Sequence, residues 1–178
     1  MKDQSTFDYD LLCIGSGPAG QRAAVQTAKL GKRSAVVERG HLIGGVCVDT
    51  GTIPSKTFRE AVLTVAERPR LNDEFLPPGS SRRPSAQALL ARVAEVEQGQ
   101  AAITREQLLR NDVAVLTGEA SFLDAHTIVV VKDGRSTAVT AANILITVGT
   151  VPAPPPGLFG ESNLVVTSDE LLQITSLP

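Results

Sequence analysis

Gly15-Ser16-Gly17-Pro18-Ala19-Gly20 has the spacing G-x-G-x-x-G, and its setting constrains this chain more than any other feature. It follows directly on Tyr9-Asp10-Leu11-Leu12-Cys13-Ile14, a short, nearly continuous apolar run of the kind found in strands buried on both faces. Pro18 through Leu30 reads as a helix, with Ala19, Ala23, Ala24, Ala28 and Leu30 at its small or apolar positions and Gly31 as its natural stop. Ser34-Ala35-Val36-Val37-Glu38 is a second buried strand. Together these segments make one β-α-β unit, with a right-handed crossover expected. In such a unit each residue of the turn has a separate duty. Gly15 permits the tight turn, Gly17 lets backbone approach a pyrophosphate, and Gly20 lets helix and strand pack closely. The helix N-terminus offers free N–H groups and partial positive charge to phosphates. Glu38, at the expected distance, would accept hydrogen bonds from an adenosine ribose. The spacing and its context predict a dinucleotide site.

Composition removes competing classes. A chain of 178 residues that is 42% apolar and 20% charged has enough apolar content for a packed core. A net charge of −2 argues against a general nucleic-acid binder, and so does an aromatic content of 3% with no Trp. The two cysteines, Cys13 and Cys47, cannot make a disulfide framework, and the opening MKDQSTFDYD is too polar for a secretory signal. No apolar stretch approaches a membrane span. His41 and His126 lie far apart without ligand-like neighbours, so no metal site is expected. The expectation is a soluble, cytoplasmic domain with neither nucleic-acid nor membrane partners.

The remaining chain continues the α/β pattern. A helix is expected from Thr52-Ile53-Pro54 to about Glu67, capped by Thr52. Residues 68–84 carry Pro, Ser and Arg without periodicity and read as an exposed loop. A long amphipathic helix follows from Ser85 to about Arg110, with Leu89, Val93, Val96 and Ile103 near one face. Three β segments, Val113–Leu123, His126–Lys132 and Ser136–Ala141, form a small antiparallel insertion, with Asp133-Gly134 as a hairpin turn. Asn143–Val148 reads as a last apolar strand. A Pro-rich run and a short helix, Ser168–Ile174, come after it.

Which dinucleotide is bound is indicated by the next segment. Gly44-Gly45-Val46-Cys47-Val48-Asp49-Thr50-Gly51-Thr52-Ile53-Pro54-Ser55-Lys56 resembles G-G-x-C-x-x-x-G-x-x-P-S-K of the pyridine nucleotide-disulfide oxidoreductases, flavoproteins that include lipoamide dehydrogenase and glutathione reductase. The resemblance extends through Val37-Glu38-Arg39, the β insertion after Gly118-Glu119-Ala120, and Ile146-Thr147-Val148-Gly149-Thr150-Val151-Pro152, which is similar to the family's A-T-G-x-x-P segment. It implies a Rossmann-like FAD-binding domain over residues 1–178, with 150–178 leading toward a nucleotide-binding domain. FAD contacts are implied from Ile14, Gly15, Ser16, Gly17, Pro18, Ala19, Gly20, Val37, Glu38, Arg39, Gly44, Gly45, Val46, Cys47, Gly51, Thr52, Lys56, Glu119, Ala120, Thr147, Val148 and Gly149.

One position departs from the disulfide reductases. They carry a second redox cysteine five residues after the first, and here Thr52 stands at that place after Cys47. A hydroxyl forms neither a disulfide nor a thiolate. The string Gly51-Thr52-Ile53-Pro54-Ser55-Lys56 is similar to the branch of soluble, Si-specific pyridine nucleotide transhydrogenases, whose flavin passes hydride between NAD(H) and NADP(H) without a protein disulfide. By that resemblance Lys56 is the catalytic candidate, an ammonium beside the flavin. Two alternatives fit the same residues: a lipoamide-dehydrogenase-like flavoprotein that has lost its disulfide, and a non-catalytic flavin-binding module. The family's longer members carry a second nucleotide-binding domain and a homo-oligomeric interface, so the 178 residues alone are expected to be inactive.

Overall fold

The computed structural model describes residues 6–66, 85–153 and 165–177. Six strands run in the order β3-β2-β1-β6-β5-β4. Strand β1 (Tyr9–Ile14) leads through the turn into α1 (Pro18–Lys29), and β2 (Ser34–Glu38) returns parallel beside β1 with Leu12 opposite Ala35. The short α2 (Val46–Asp49), then α3 (Thr52–Ala66) and α4 (Ala86–Arg110), connect to β3 (Val113–Thr117), which adds parallel to β2. Next come β4 (Glu119–Phe122), β5 (Thr127–Lys132), β6 (Arg135–Ile146) and α5 (Ser168–Leu171).

The parallel strands are buried on both faces, which is why they read as continuous apolar runs. Alternate residues divide between two cores. Leu12, Ala35 and Val37 pack with Ile128, Val130, Val139 and Ala141 of the antiparallel strands. Cys13 and Val36 point the other way, onto Ala24 of α1 and Leu108 of α4. Helices thus cover one face and a β layer covers the other.

The structure redraws several expected boundaries. Val113–Leu123 is two strands rather than one. The first pairs in parallel with β2, so the antiparallel portion starts at Glu119 and not at Val113. Gly118 makes the break: it has φ +147, and its N–H donates to the Glu38 carbonyl at 2.9 Å. A Cβ there would lie 2.6 Å from the Val131 carbonyl oxygen, so only glycine fits. Conversely, Ser136–Ala141 and Asn143–Ile146 belong to one strand, which stops short of Thr147 and Val148. The first half of β6 pairs antiparallel with β5 (Thr140 opposite Thr127), and the second half pairs parallel with β1 (Asn143 opposite Leu11). No Gly or Pro interrupts Arg135–Ile146, and without such a residue the strand has no reason to stop.

Helix α2 lies where the sequence marks no helix. Thr52 is the first residue of α3 rather than its cap, with the Gly51 carbonyl accepting from Ser55 N–H at 3.1 Å. Helix α4 starts as expected, Ser85 accepting from Ala88 N–H at 3.1 Å, but its buried face is Ala86, Leu89, Val93, Ala101, Thr104 and Leu108. Ile103 is exposed. Helix α5 ends at Leu171, short of Ile174. The expected loop at 68–84 and most of the Pro-rich run lie outside the described residues.

Candidate functional site

The predicted residues Ile14–Gly20, Val37–Glu38, Gly44–Gly45 and Thr147–Val148 converge at the carboxyl ends of β1, β2 and β6. Backbone bonds hold the turn from both sides: Gly15 N–H donates to Val37 O at 2.8 Å, and Thr147 N–H donates to Ile14 O at 2.8 Å. The Thr147 hydroxyl lies 2.9 Å from the Ile14 carbonyl and 3.0 Å from that of Gly15, so β6 clamps the turn from below.

The three glycines of the turn differ in what they avoid. Gly15 has φ +108 and sits against the Thr147 carbonyl, where no side chain fits. A Cβ on Gly20 would fall onto the Gly15 carbonyl oxygen and lie 2.8 Å from the Thr147 hydroxyl. Gly17 is the exception: its φ is −64, and a Cβ there would meet nothing within 4 Å. Nothing in the fold itself requires glycine at that position.

Gly17 is also the N-cap of α1, and no side chain caps the helix or brings an acid into its first turn. Pro18 has no N–H, and the first helical bond runs from Gln21 N–H to Gly17 O at 3.0 Å. The amides of Ala19 and Gly20 precede that bond and have no partner inside the helix. By contrast, Thr167 and Glu170 close a full capping box on α5. The α1 terminus is thus left with free donors and the positive end of its dipole.

Beside it stands the Glu38 carboxylate. Its Oε2 accepts from Ser16 N–H at 3.1 Å and from the Ser16 hydroxyl at 2.6 Å, and its Oε1 accepts from Gly40 N–H at 2.8 Å. The Ser16 hydroxyl in turn accepts from Gly44 N–H at 3.0 Å. Gly45 presses on the turn: a Cβ there would lie 2.8 Å from Gly17 Cα. Gln21, absent from the predicted set, donates from Nε2 to the Ser16 carbonyl at 2.7 Å. Its place one helical turn into α1 was the available signal.

The other predicted residues lie further out. Val46 is exposed and Cys47 half-buried on α2, Gly51 closes the link to α3 with its N–H on Val46 O at 2.6 Å, and Thr52 is exposed. Pro18, Ala19 and Arg39 are exposed, as are Glu119, Val148 and Gly149, whereas Ala120 packs against the core from β4, opposite Val130 of β5. Glu119 and Ala120 are tied to the site through the Gly118–Glu38 backbone bond. Lys56 is exposed on α3, and its side chain makes no ion pair or hydrogen bond among the described residues. Among the described residues no hydrogen bond or ion pair joins it to the turn.

The two thiols are free. Burial in β1 pushes the Cys13 thiol up to about 11, which keeps it protonated and inert. Among the described residues no group of His, Cys, Asp and Glu could hold a metal, and no helix is long and apolar enough to cross a membrane.

Residues 9–178 match the family of pyridine nucleotide-disulphide oxidoreductases. The chain belongs to this family. Soluble pyridine nucleotide transhydrogenases of Mycobacterium tuberculosis and Pectobacterium atrosepticum are 46% and 39% identical to it, over 96% and 97% of the chain. The solved flavoprotein disulfide reductase RclA of Escherichia coli, a HOCl-induced protein determined as its Cu(II) complex, superposes with a TM-score of 0.72 at 27% identity, over 96% of this chain and 35% of that one. The chain spans 37% of the length of those two transhydrogenases. As a member of the family it has the α/β architecture expected from the sequence, a parallel sheet with helices and an antiparallel addition.

Proposed function

We propose that this chain is the FAD-binding portion of a flavoprotein oxidoreductase of the soluble transhydrogenase type, which passes hydride between NADPH and NAD+. The observation that carries this reading is Gly17. A glycine that the fold does not need, beside uncapped amides at a helix N-terminus, is explained by a pyrophosphate that must approach the backbone. Glu38 fits the adenosine end, since Oε1 accepts one protein hydrogen bond and keeps capacity for a sugar hydroxyl. Gly44, Gly45, Val46, Cys47, Gly51, Thr52, Glu119, Ala120, Thr147, Val148 and Gly149 would line the remainder. FAD, when bound, supplies hydride-accepting and hydride-donating chemistry at its flavin ring. Lys56 is assigned as the cation beside that ring, free of any other described partner and able to stabilise negative charge there. Thr52 excludes a dithiol with Cys47, which favours hydride passage between nucleotides over disulfide reduction. A cytoplasmic setting agrees with two free thiols. The pyridine nucleotides and a homo-oligomeric assembly belong to the longer protein.

The test has two parts. Purified chain incubated with FAD should retain it through gel filtration, with flavin absorbance at the protein peak; a colourless protein under FAD excess refutes the binding. The full-length parent should reduce an NAD analogue with NADPH and need no disulfide substrate. Turnover of lipoamide or glutathione disulfide in its place would refute the transhydrogenase assignment.

A further inference from the structure

Ser16 is fully buried, yet it is a polar residue at a position of the G-x-G-x-x-G spacing open to any residue. Its hydrogen bonds join elements distant in sequence. The hydroxyl donates to Glu38 Oε2 at the end of β2 and accepts from Gly44 N–H, while its own N–H meets the same Glu38 oxygen. The hydroxyl has one proton, which it donates in the hydrogen bond to Glu38 Oε2. The Gly44 N–H uses a lone pair. Both bonds are therefore directional, and no other donor–acceptor arrangement satisfies this set.

The consequence lies in how the carboxylate is filled. Oε2 accepts two hydrogen bonds from Ser16 and is saturated, whereas Oε1 accepts one, from Gly40 N–H. We propose that the Ser16 hydroxyl is a positioning group for ribose recognition: it saturates and fixes one oxygen of Glu38, so that Oε1 alone is offered to a sugar hydroxyl of an adenine nucleotide. The same hydroxyl holds the Gly44–Gly45 turn against Gly17, joining the ribose-recognising carboxylate to the backbone that a pyrophosphate would approach. This rests on the dinucleotide reading above and adds a residue that acts through Glu38. Without the hydroxyl, Gly44 N–H loses its partner and Oε2 loses the shorter of its two bonds, so Glu38 is held only by one backbone N–H on each oxygen and is less firmly oriented.

Binding of ADP and of 2′,3′-dideoxy-ADP to the 178-residue chain, measured by calorimetry, tests this. The ratio of the two dissociation constants isolates what the ribose hydroxyls contribute. A general loss of stability lowers both affinities alike and does not move it. The native chain should prefer ADP by about ten-fold, the value of a hydrogen bond to a charged group. Ser16→Ala should bring the ratio down to about two. Ser16→Cys keeps the volume with a much weaker donor, should lower the ratio likewise, and decides the matter if the alanine variant does not fold. In a Glu38→Gln background, Ser16→Ala should change the ratio no further, because Ser16 acts through that carboxylate. A ratio unchanged in both Ser16 variants overturns the proposal and leaves the dinucleotide site standing. A native chain that binds ADP without preference over the dideoxy analogue also overturns it. A native chain that binds neither nucleotide removes the dinucleotide reading and the proposal with it.

Discussion

At the residue scale, the proposed FAD site gives Gly20 a role in folding and Gly17 a role in binding. Gly20→Ala drives a methyl into the Gly15 carbonyl and the Thr147 hydroxyl, backbone and side chain that are themselves clamped. The variant should lose about 2–3 kcal/mol, an overpacking cost read in a urea melt. Gly17→Ala meets no protein atom, and its φ of −64 suits alanine. It should cost at most about 1 kcal/mol, as a poorer N-cap, yet weaken ADP or FAD roughly ten-fold or more by standing where the pyrophosphate would lie. Equal effects of the two changes on stability would contradict this division. The thiols divide in the same manner. Cys47 is half-buried and Cys13 lies inside β1 with its pKa at about 11, so a thiol reagent should titrate one group in the native chain and both in denaturant. The turn, Glu38 and Cys47 stand out as candidates in the sequence because each belongs to a spaced pattern. The Ser16–Glu38 bond could not. It spans 22 positions and depends on a rotamer, and spacing alone carries no record of either.

At the scale of elements, the parallel strands were legible because burial on both faces writes an unbroken apolar run. Strand β6 was not, since its two halves serve different partners and the change of partner leaves no mark in composition. Its join to β1 is reinforced at one end by Asp8, whose carboxylate accepts from Thr140 N–H and from the Thr140 hydroxyl, each at 2.8 Å. The backbone hydrogen bond from Thr140 is the first cause that holds Asp8 below its ordinary range. A carboxylate held low stabilises the fold above its unfolded range and loses that contribution as the pH falls through its folded value. Glu97 on α4 runs the other way. Burial first, and then the negative charge of Asp49 on α2, raise its pKa. A raised carboxyl favours the fold fully below the ordinary glutamate range, and this is lost as the pH rises through the folded value. Glu97→Gln should therefore raise the Tm at neutral pH, and the gain should close as the solution is acidified into the range where glutamate is protonated in both states. A gain that persists undiminished in acid would mean that packing, not charge, is responsible. Asp49→Asn should reproduce part of the effect at neutral pH.

At the scale of the whole molecule, the fold presents the G-x-G-x-x-G turn, a carboxylate beside it, and a segment from Gly44 to Lys56 pinned to that turn through Gly44 N–H. The electron capacity of the loaded chain follows from that segment. With FAD bound, the native chain should take up two electrons in a dithionite titration, because neither of its free thiols has a partner to form a reducible bond: Cys13 is enclosed in β1, and Cys47 faces a threonine in the spacing that disulfide reductases fill with cysteine. Thr52→Cys puts a second thiol at the exposed N-terminus of α3, one tight turn beyond α2, where Gly51 N–H closes on Val46 O at 2.6 Å. After mild oxidation this variant should lose its two accessible thiols to reagent and take up four electrons. The native chain treated identically should still take up two. Thr52→Ser shares the hydroxyl and should match the native chain, so the gain depends on sulfur and not on disturbance of the helix start. If Thr52→Cys keeps both thiols reactive after oxidation, positions 47 and 52 are not within bridging distance, and the absence of a dithiol ceases to explain why this chain should pass hydride rather than reduce disulfides.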